Sequence, residues 1–467
     1  MNKIFLNLIT IFFVFANSFS AVAGIDKNKI YSFIPSNARK KGNLGVYIKS
    51  LKTNEVIFDY NSKKNFIPAS NNKIVSSFAA LGLLGNDFRF KTEFYSGGEI
   101  HGSVLHGGLY VKGYGDPTID HEALERIAKR LYLMGIREIR DGIYLDSSYF
   151  DKKNYQDGWK KEWRGDYYSP PVEAFSLNYN TFDVHVSPSK VGNRAHVTTD
   201  PQSSSLRIVN KTVTSSSRSA VVVRYNGNKE LLVSGPVSKR WGKSKYTVSA
   251  LEPTLYFGTV LRNALIEEGI KVGGGIRVEN VPKWANKIFD FYSETLDSII
   301  YEYNKESINI IGENLVKTLG AEFVGEPGSW ENGNRVISSY LKEVGINSEF
   351  RIVDGSGLSV DNRISPKILG DILVKAYNNS EISKAFLPSL PIAGIDGTLE
   401  KRFLRTNIKG NVYAKTGYLN GVRSLSGYAF SSEGEIFVFS IISNGLGPIT
   451  KIFQNKLLME LVNCCSS

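Results

Sequence analysis

Two short runs near the start of the chain, Gly45-Val46-Tyr47-Ile48 and Glu55-Val56-Ile57-Phe58, are rich in β-branched and aromatic residues and flank a polar LKTN. They predict two strands joined by a turn. The period then lengthens. Ile74, Val75, Phe78, Ala79, Leu81 and Leu84 recur at helical spacing, and Gly82 and Gly85 bring the run to its end. The apolar positions lie almost all round this helix, so it is expected to be buried. From about 90 to 250 the texture changes to short alternating runs punctuated by Gly, Asn and Ser, with one helical pattern at HEALERIAKRLYLMG. The serine-rich stretch PQSSSLRIVNKTVTSSSRS is expected to hold a flexible hairpin. Helical periods return at EPTLYFGTVLRNALIEEG, SINIIGENLVKTLGAEF, GNRVISSYLKEVG and SPKILGDILVKAYNN. SLSGYAFSSEGEIFVFSIISN then predicts a hairpin of two long strands, and ITKIFQNKLLMELVN a closing helix.

The pattern describes an α+β body that begins, breaks off for a large β-rich insertion, and resumes. The expected divisions are 1–23, 24–90 (first part of the body), 91–250 (insert) and 251–467 (second part). A length of 467 residues, 42% hydrophobic and 12% aromatic, suits two or three globular units with real cores. The net charge of +12 favours anionic surroundings. The lysines and arginines are scattered, with no basic block or basic-aromatic stripe, so nucleic acid is not an expected partner.

Residues 1–23 change the picture of where the chain works. Lys3 precedes the apolar IFLNLITIFFVFA, and Ala21-Val22-Ala23 follows. This is the pattern of a secretory signal cut after Ala23. No later run reaches the roughly 18 apolar residues of a membrane span. A periplasmic location with at most peripheral membrane contact is expected. The two cysteines, Cys464 and Cys465, are adjacent, a spacing that rarely forms a disulfide. The five histidines, all between 101 and 196, show no metal-ligand spacing, and no metal or cofactor is expected.

Three stretches carry candidate chemistry. Ser70-Asn71-Asn72-Lys73 opens the buried helix. A serine there sits in the positive end of the helix dipole, and a lysine three residues on shares its face and can act as its base once desolvated. The same spacing also occurs at Ser187…Lys190, with a proline inside, and at Ser339…Lys342, mid-helix. Taken alone, Ser70 reads first as a helix N-cap. Ser307-Ile308-Asn309 starts a later helix and is weak alone. Lys415-Thr416-Gly417 is the only KTG in the chain and lies on an expected strand. There the lysine would be a fixed cation, the threonine a hydroxyl donor to a carboxylate, and the glycine a point of close approach.

In this order and these contexts, the three motifs resemble the active-site-serine acyl-enzyme superfamily. More closely, the chain resembles the D-alanyl-D-alanine carboxypeptidase/endopeptidase family of low-molecular-mass penicillin-binding proteins, the penicillin-binding protein 4 type of peptidase family S13. The long insertion after the first motif carries that match. So do Gly115-Asp116-Pro117-Thr118, the run from Asp354 to Ser359, and the run from Gly394 to Leu399. The resemblance implies a β-lactamase/transpeptidase-like body, an antiparallel sheet flanked by helices. It implies Ser70 as nucleophile, Lys73 as its base, Ser307 and Asn309 lining the cleft, and Lys415 as positive potential. Thr416, Gly417 and Tyr418 would bind substrate, with the N–H groups of Ser70 and Tyr418 as the oxyanion hole. Peptidoglycan stem peptides are the implied substrates and β-lactams the implied covalent inhibitors.

The chain departs from the family pattern in places. Ile308 stands where the family often has Asp, and Tyr418 is bulkier than the usual small hydroxyl residue. An acidic residue expected near the cleft from the insert is Glu162 or Asp166 in GWKKEWRGDYYSPP. A β-lactamase or a non-catalytic binder of peptidoglycan and β-lactams are the rival readings.

Overall fold

The structure, a computed structural model, describes residues 25–202, 206–227 and 230–464. The expected secretory segment and Cys465 lie outside the described residues. Five strands make the main sheet: β1 (Leu44–Ser50), β2 (Val56–Tyr60), β3 (Val412–Leu419), β4 (Val422–Phe430) and β5 (Ile436–Asn444). They are antiparallel throughout, in the order β3-β4-β5-β1-β2. The N-terminal pair thus docks on the C-terminal hairpin, from Leu44↔Ser443 to Ser50↔Phe437. One domain is closed from the two ends of the chain.

Alternation along these strands serves two cores, as a sheet covered on both faces requires. On one face, Val46, Ile48, Leu425, Phe437, Phe439 and Ile441 pack with Phe453, Leu457 and Leu461 of the closing helix, Ile449–Val462. On the other lies α1, Asn72–Leu84, whose residues 72 to 81 are all buried. Around it pack α2 (Leu296–Lys305), α3 (Asn309–Phe323), α4 (Trp330–Glu343), α5 (Pro366–Asn378) and α6 (Ser380–Ser389). The apolar-all-round pattern of α1 follows from this central position. Gly82 does not end the helix. A Cβ there would strike the Tyr340 hydroxyl, so it permits close packing against α4, and Gly85 at φ +82° closes the helix. The fold is α+β, with a large insertion.

The insert has its own core. Its main sheet is mixed, in the order Gly275–Val278, Gly142–Asp146, Leu109–Gly113, Lys91–Ser96, Asn286–Tyr292. The expected boundary at 250 cuts this core. Tyr256, Phe257, Leu261 and Leu265 of helix Pro253–Glu267 pack inside it, as does Phe289, and Asn286–Tyr292 pairs with Lys91–Ser96. The insert core therefore extends to 292. Helical periodicity reveals an apolar face but not which core covers it. The expected hairpin in the serine-rich stretch is also corrected: Arg207–Ser215 pairs in parallel with the distant Glu230–Ser238.

Candidate active site

Ser70 sits in a tight turn, Ala69–Asn71, immediately before α1, so Lys73 is one turn on and on the same side. Lys73 Nζ is 3.1 Å from Ser70 Oγ, 2.7 Å from Asn309 Oδ1 and 2.9 Å from the Ser356 carbonyl oxygen. Its side chain is fully buried, and burial pushes its pKa down to about 7, against an opposing pull from Glu313 and Asp354. Ala69 has φ +50° and Ser307 φ +60°, a region that costs non-glycine residues energy. Both outliers flank or belong to this cluster.

Strand alternation divides the KTG segment. Ala414 N–H donates to the Pro391 carbonyl and Ala393 N–H to the Val412 carbonyl. The even-numbered residues of β3 thus point their backbone groups to its outer edge. That edge is covered at 412–414 and continues beyond the cover to Thr416 and Tyr418. Side chains alternate the other way. Lys415 and Gly417 face α1, while Thr416 and Tyr418 share the opposite face. Lys415 Nζ lies 2.9 Å from Ser307 Oγ. Burial lowers its pKa well below the usual lysine value, and Lys73 lowers it further. A Cβ on Gly417 would strike Ser424 Oγ and come within 2.9 Å of the Pro68 carbonyl oxygen and 3.1 Å of Ser70 N. Only glycine lets β3 lie this close to the serine turn. Asn71 ties the two together by donating to the Lys415 carbonyl at 2.8 Å. Tyr418 is 65% exposed, with the Arg423 guanidinium 3.8 Å from its ring centre.

A loop from Asp354 to Ser359 backs the lysine. Asp354 is buried and accepts from Gly357 N at 2.9 Å, Ser359 N at 2.6 Å, Asn362 Nδ2 at 2.8 Å and Trp159 Nε1 at 2.9 Å. Gly357, at φ +83°, leaves room for the Ala69 carbonyl. Glu313, one turn beyond Asn309 on α3, accepts from Ser356 N at 2.8 Å, Gly355 N at 3.1 Å and Trp330 Nε1 at 2.7 Å. Burial and then Asp354 push Glu313 up to about 7. Every partner of its oxygens here is a donor, however, which favours the carboxylate, and we take it as ionised. Sequence reasoning assigned no role to Glu313. Its spacing of four from Asn309 on one helix face is the signal that could have found it.

Lys73 thus meets Ser70 and Asn309, and Lys415 meets Ser307, while Thr416 and Tyr418 lie on the other face of β3 and the Tyr418 ring turns outward. Ser187…Lys190 follows a strand end and Ser339…Lys342 lies within α4, both apart from this cluster. The insert reaches the cluster through Tyr168, whose carbonyl accepts from Asn309 Nδ2 at 2.7 Å. Of the two acidic candidates, Asp166 accepts from the Tyr168 hydroxyl at 2.7 Å. Glu162 and Asp166 both line a groove of about 780 Å³ beside strands Val222–Tyr225 and Ser244–Ser249.

A half-buried serine beside a fully buried lysine, between an edge strand and an all-helical layer, defines the class as an active-site-serine fold of the penicillin-binding type. The chain belongs to the D-Ala-D-Ala carboxypeptidase 3 (S13) family, whose model matches residues 28–459. It is 31% identical over 438 residues to a D-alanyl-D-alanine carboxypeptidase of Actinomadura sp. (strain R39), covering 89% of this chain and 80% of that one. It is 26% identical over 442 residues to the D-alanyl-D-alanine carboxypeptidase DacB of Haemophilus influenzae, covering 93% and 91%. The crystal structure of penicillin binding protein 4 (dacB) from H. influenzae superposes with a TM-score of 0.81 at 25% identity, covering 93% of this chain and 99% of that one.

Proposed function

We propose that this protein is a periplasmic serine D-Ala-D-Ala carboxypeptidase and D,D-endopeptidase that cleaves peptidoglycan stem peptides through an acyl-enzyme. The observation that carries the reading is Lys73 Nζ at 3.1 Å from Ser70 Oγ in a buried site that lowers its pKa to about 7. A neutral Lys73 takes the Ser70 proton as Oγ attacks the carbonyl of the penultimate D-alanine. The developing oxyanion lies between the N–H groups of Ser70 and Tyr418. The second of these points to the outer edge of β3, and losing such a donor costs on the order of 10²–10³ in rate. The edge beyond residue 414 suits an extended peptide added as a further strand. Asn309 holds the peptide amide.

Collapse of the tetrahedral intermediate breaks the peptide bond, and the leaving amine takes a proton through Ser307, held by Lys415 at 2.9 Å. The released D-alanine, or the diamino-acid strand of a cross-link, departs. Water then attacks the ester, regenerates Ser70 and yields the shortened peptide. A β-lactam, whose strained amide mimics the same carbonyl, acylates Ser70 in the same way. A complex of H. influenzae penicillin binding protein 4 with a β-lactam supports this; it superposes with a TM-score of 0.76 at 25% identity.

The test is to give the purified mature protein a stem pentapeptide and a D-alanyl cross-linked dimer, alongside Ser70→Ala. The reading expects free D-alanine from the first and monomers from the second, both lost in the variant. Folded wild-type protein that cleaves neither would overturn it.

A further inference from the structure

Thr416 does not stand alone on its face of β3. Its Oγ1 is 2.7 Å from Thr398 Oγ1, and Thr398 is exposed at the end of the uncovered edge. Thr398 belongs to a short turn, Gly397–Leu399, that follows the segment covering the start of β3. That turn is firmly held. Asp396 forms an ion pair with the nearly buried Lys305 at 2.6 Å and accepts from Ile392 N at 2.7 Å. Lys305 also donates to the Leu390 carbonyl at 2.8 Å. It ends α2, two residues before Ser307. Thr398 is thus fixed to both the serine loop and the KTG strand. Tyr418, the next residue on the Thr416 face, offers no comparable hydroxyl, since its exposed ring stacks with Arg423.

We propose that Thr398 and Thr416 form a two-hydroxyl clamp for the terminal carboxylate of the substrate, making Thr398 a substrate-binding residue. The inference rests on the reading of the site as a D-alanyl peptidase. With the cleft empty, one hydroxyl donates to the other and a single proton is left to offer. A carboxylate arriving at the edge of β3 accepts from both, exchanging one neutral hydrogen bond for two charge-assisted ones. The clamp selects a free C-terminal acid over a capped one, and it does so at the leaving-group end of the cleft.

The test compares a penicillin with its methyl ester, which keeps the reactive ring and loses the charge. The rate of Ser70 acylation by each is measured for wild type, Thr398→Val and Thr398→Ser. One hydrogen bond to a charged group corresponds to a preference of about 10- to 100-fold. The acid-to-ester preference is expected to fall by that factor in Thr398→Val and to return in Thr398→Ser. A preference unchanged in Thr398→Val, whatever the absolute rates, would overturn the clamp and leave the peptidase reading standing. Failure of both compounds to acylate folded wild type would overturn both the clamp and the peptidase reading.

Discussion

Lys73 is expensive to fold and useful for that reason. A fully buried amine with its pKa near 7 is neutral in a large fraction of molecules at physiological pH, where an exposed lysine is almost wholly charged. The sign follows directly. Because burial lowers the folded-state value, the base form accumulates as pH rises through about 7. Acylation of Ser70 is expected to climb across that range, as measured by penicillin labelling rates from pH 5 to 9. A flat profile would remove Lys73 from the proton path. The same shift makes the unfolded chain hold a proton that the native site lacks between about 7 and 10.5. Its contribution to stability therefore rises with pH over that window. At Gly417 the demand is steric. Gly417→Ala pushes β3 from the serine turn, and a displacement of this order is expected to slow acylation about 10²-fold, with a lowered Tm. Wild-type rates in that variant would mean the close approach is not needed. The serine–lysine spacing was legible in the sequence, but three segments share it. The positive φ angles at Ala69 and Ser307 were not, because neither residue type announces a left-handed backbone.

Between elements, the decisive contacts are backbone groups brought from far along the chain. The Ser356 carbonyl that receives Lys73 lies 283 residues away in sequence, so no local pattern points to it. The run from Asp354 to Ser359 stood out only by resemblance. Its physical role is a buried carboxylate that organises a loop around four donors. Asp354→Asn replaces one acceptor oxygen by an amide that cannot satisfy those donors. It is expected to cost about 3 kcal/mol, read as a reduced midpoint in denaturant, together with loss of penicillin labelling. Retained stability would show the loop to be held otherwise. The strands and most helices were readable from periodicity. The short α2 and α6 were not anticipated: α2 mixes apolar with polar residues over ten positions, and α6 carries Pro388 inside it.

At the scale of the whole molecule, the insert takes part in the site. Trp159 donates to Asp354, Tyr168 accepts from Asn309, Asp151 pairs with the buried Lys317 at 2.7 Å, and Gly115 accepts from Asn314 at 2.9 Å. These contacts join α3 and the loop behind Lys73 to the insert, whose Trp159 and Tyr168 themselves pack in the helical core of the body. Trp159→Phe keeps the ring and removes one donor from the buried carboxylate. It is expected to lower stability by roughly 1–3 kcal/mol and to slow acylation, although Trp159 lies outside all three motifs. Unchanged acylation would confine the insert to a passive role. The split of the body was legible because the same strand and helix texture stops and resumes. The insert's true end was not, since Pro253–Glu267 has the period of a body helix and only its partners reveal its allegiance.

The central claim is that Ser70 forms a covalent acyl intermediate and that this site releases a β-lactam slowly. Its most direct test is intact-mass and peptide-level mass spectrometry of the protein after timed exposure to penicillin, with Ser70→Ala as the control. The account predicts one added drug mass, located on Ser70, persisting for many minutes and absent from the variant. Rapid loss of the adduct with drug turnover would make the protein a β-lactamase. No adduct on folded wild type would make it a binding protein, and either result would contradict the account.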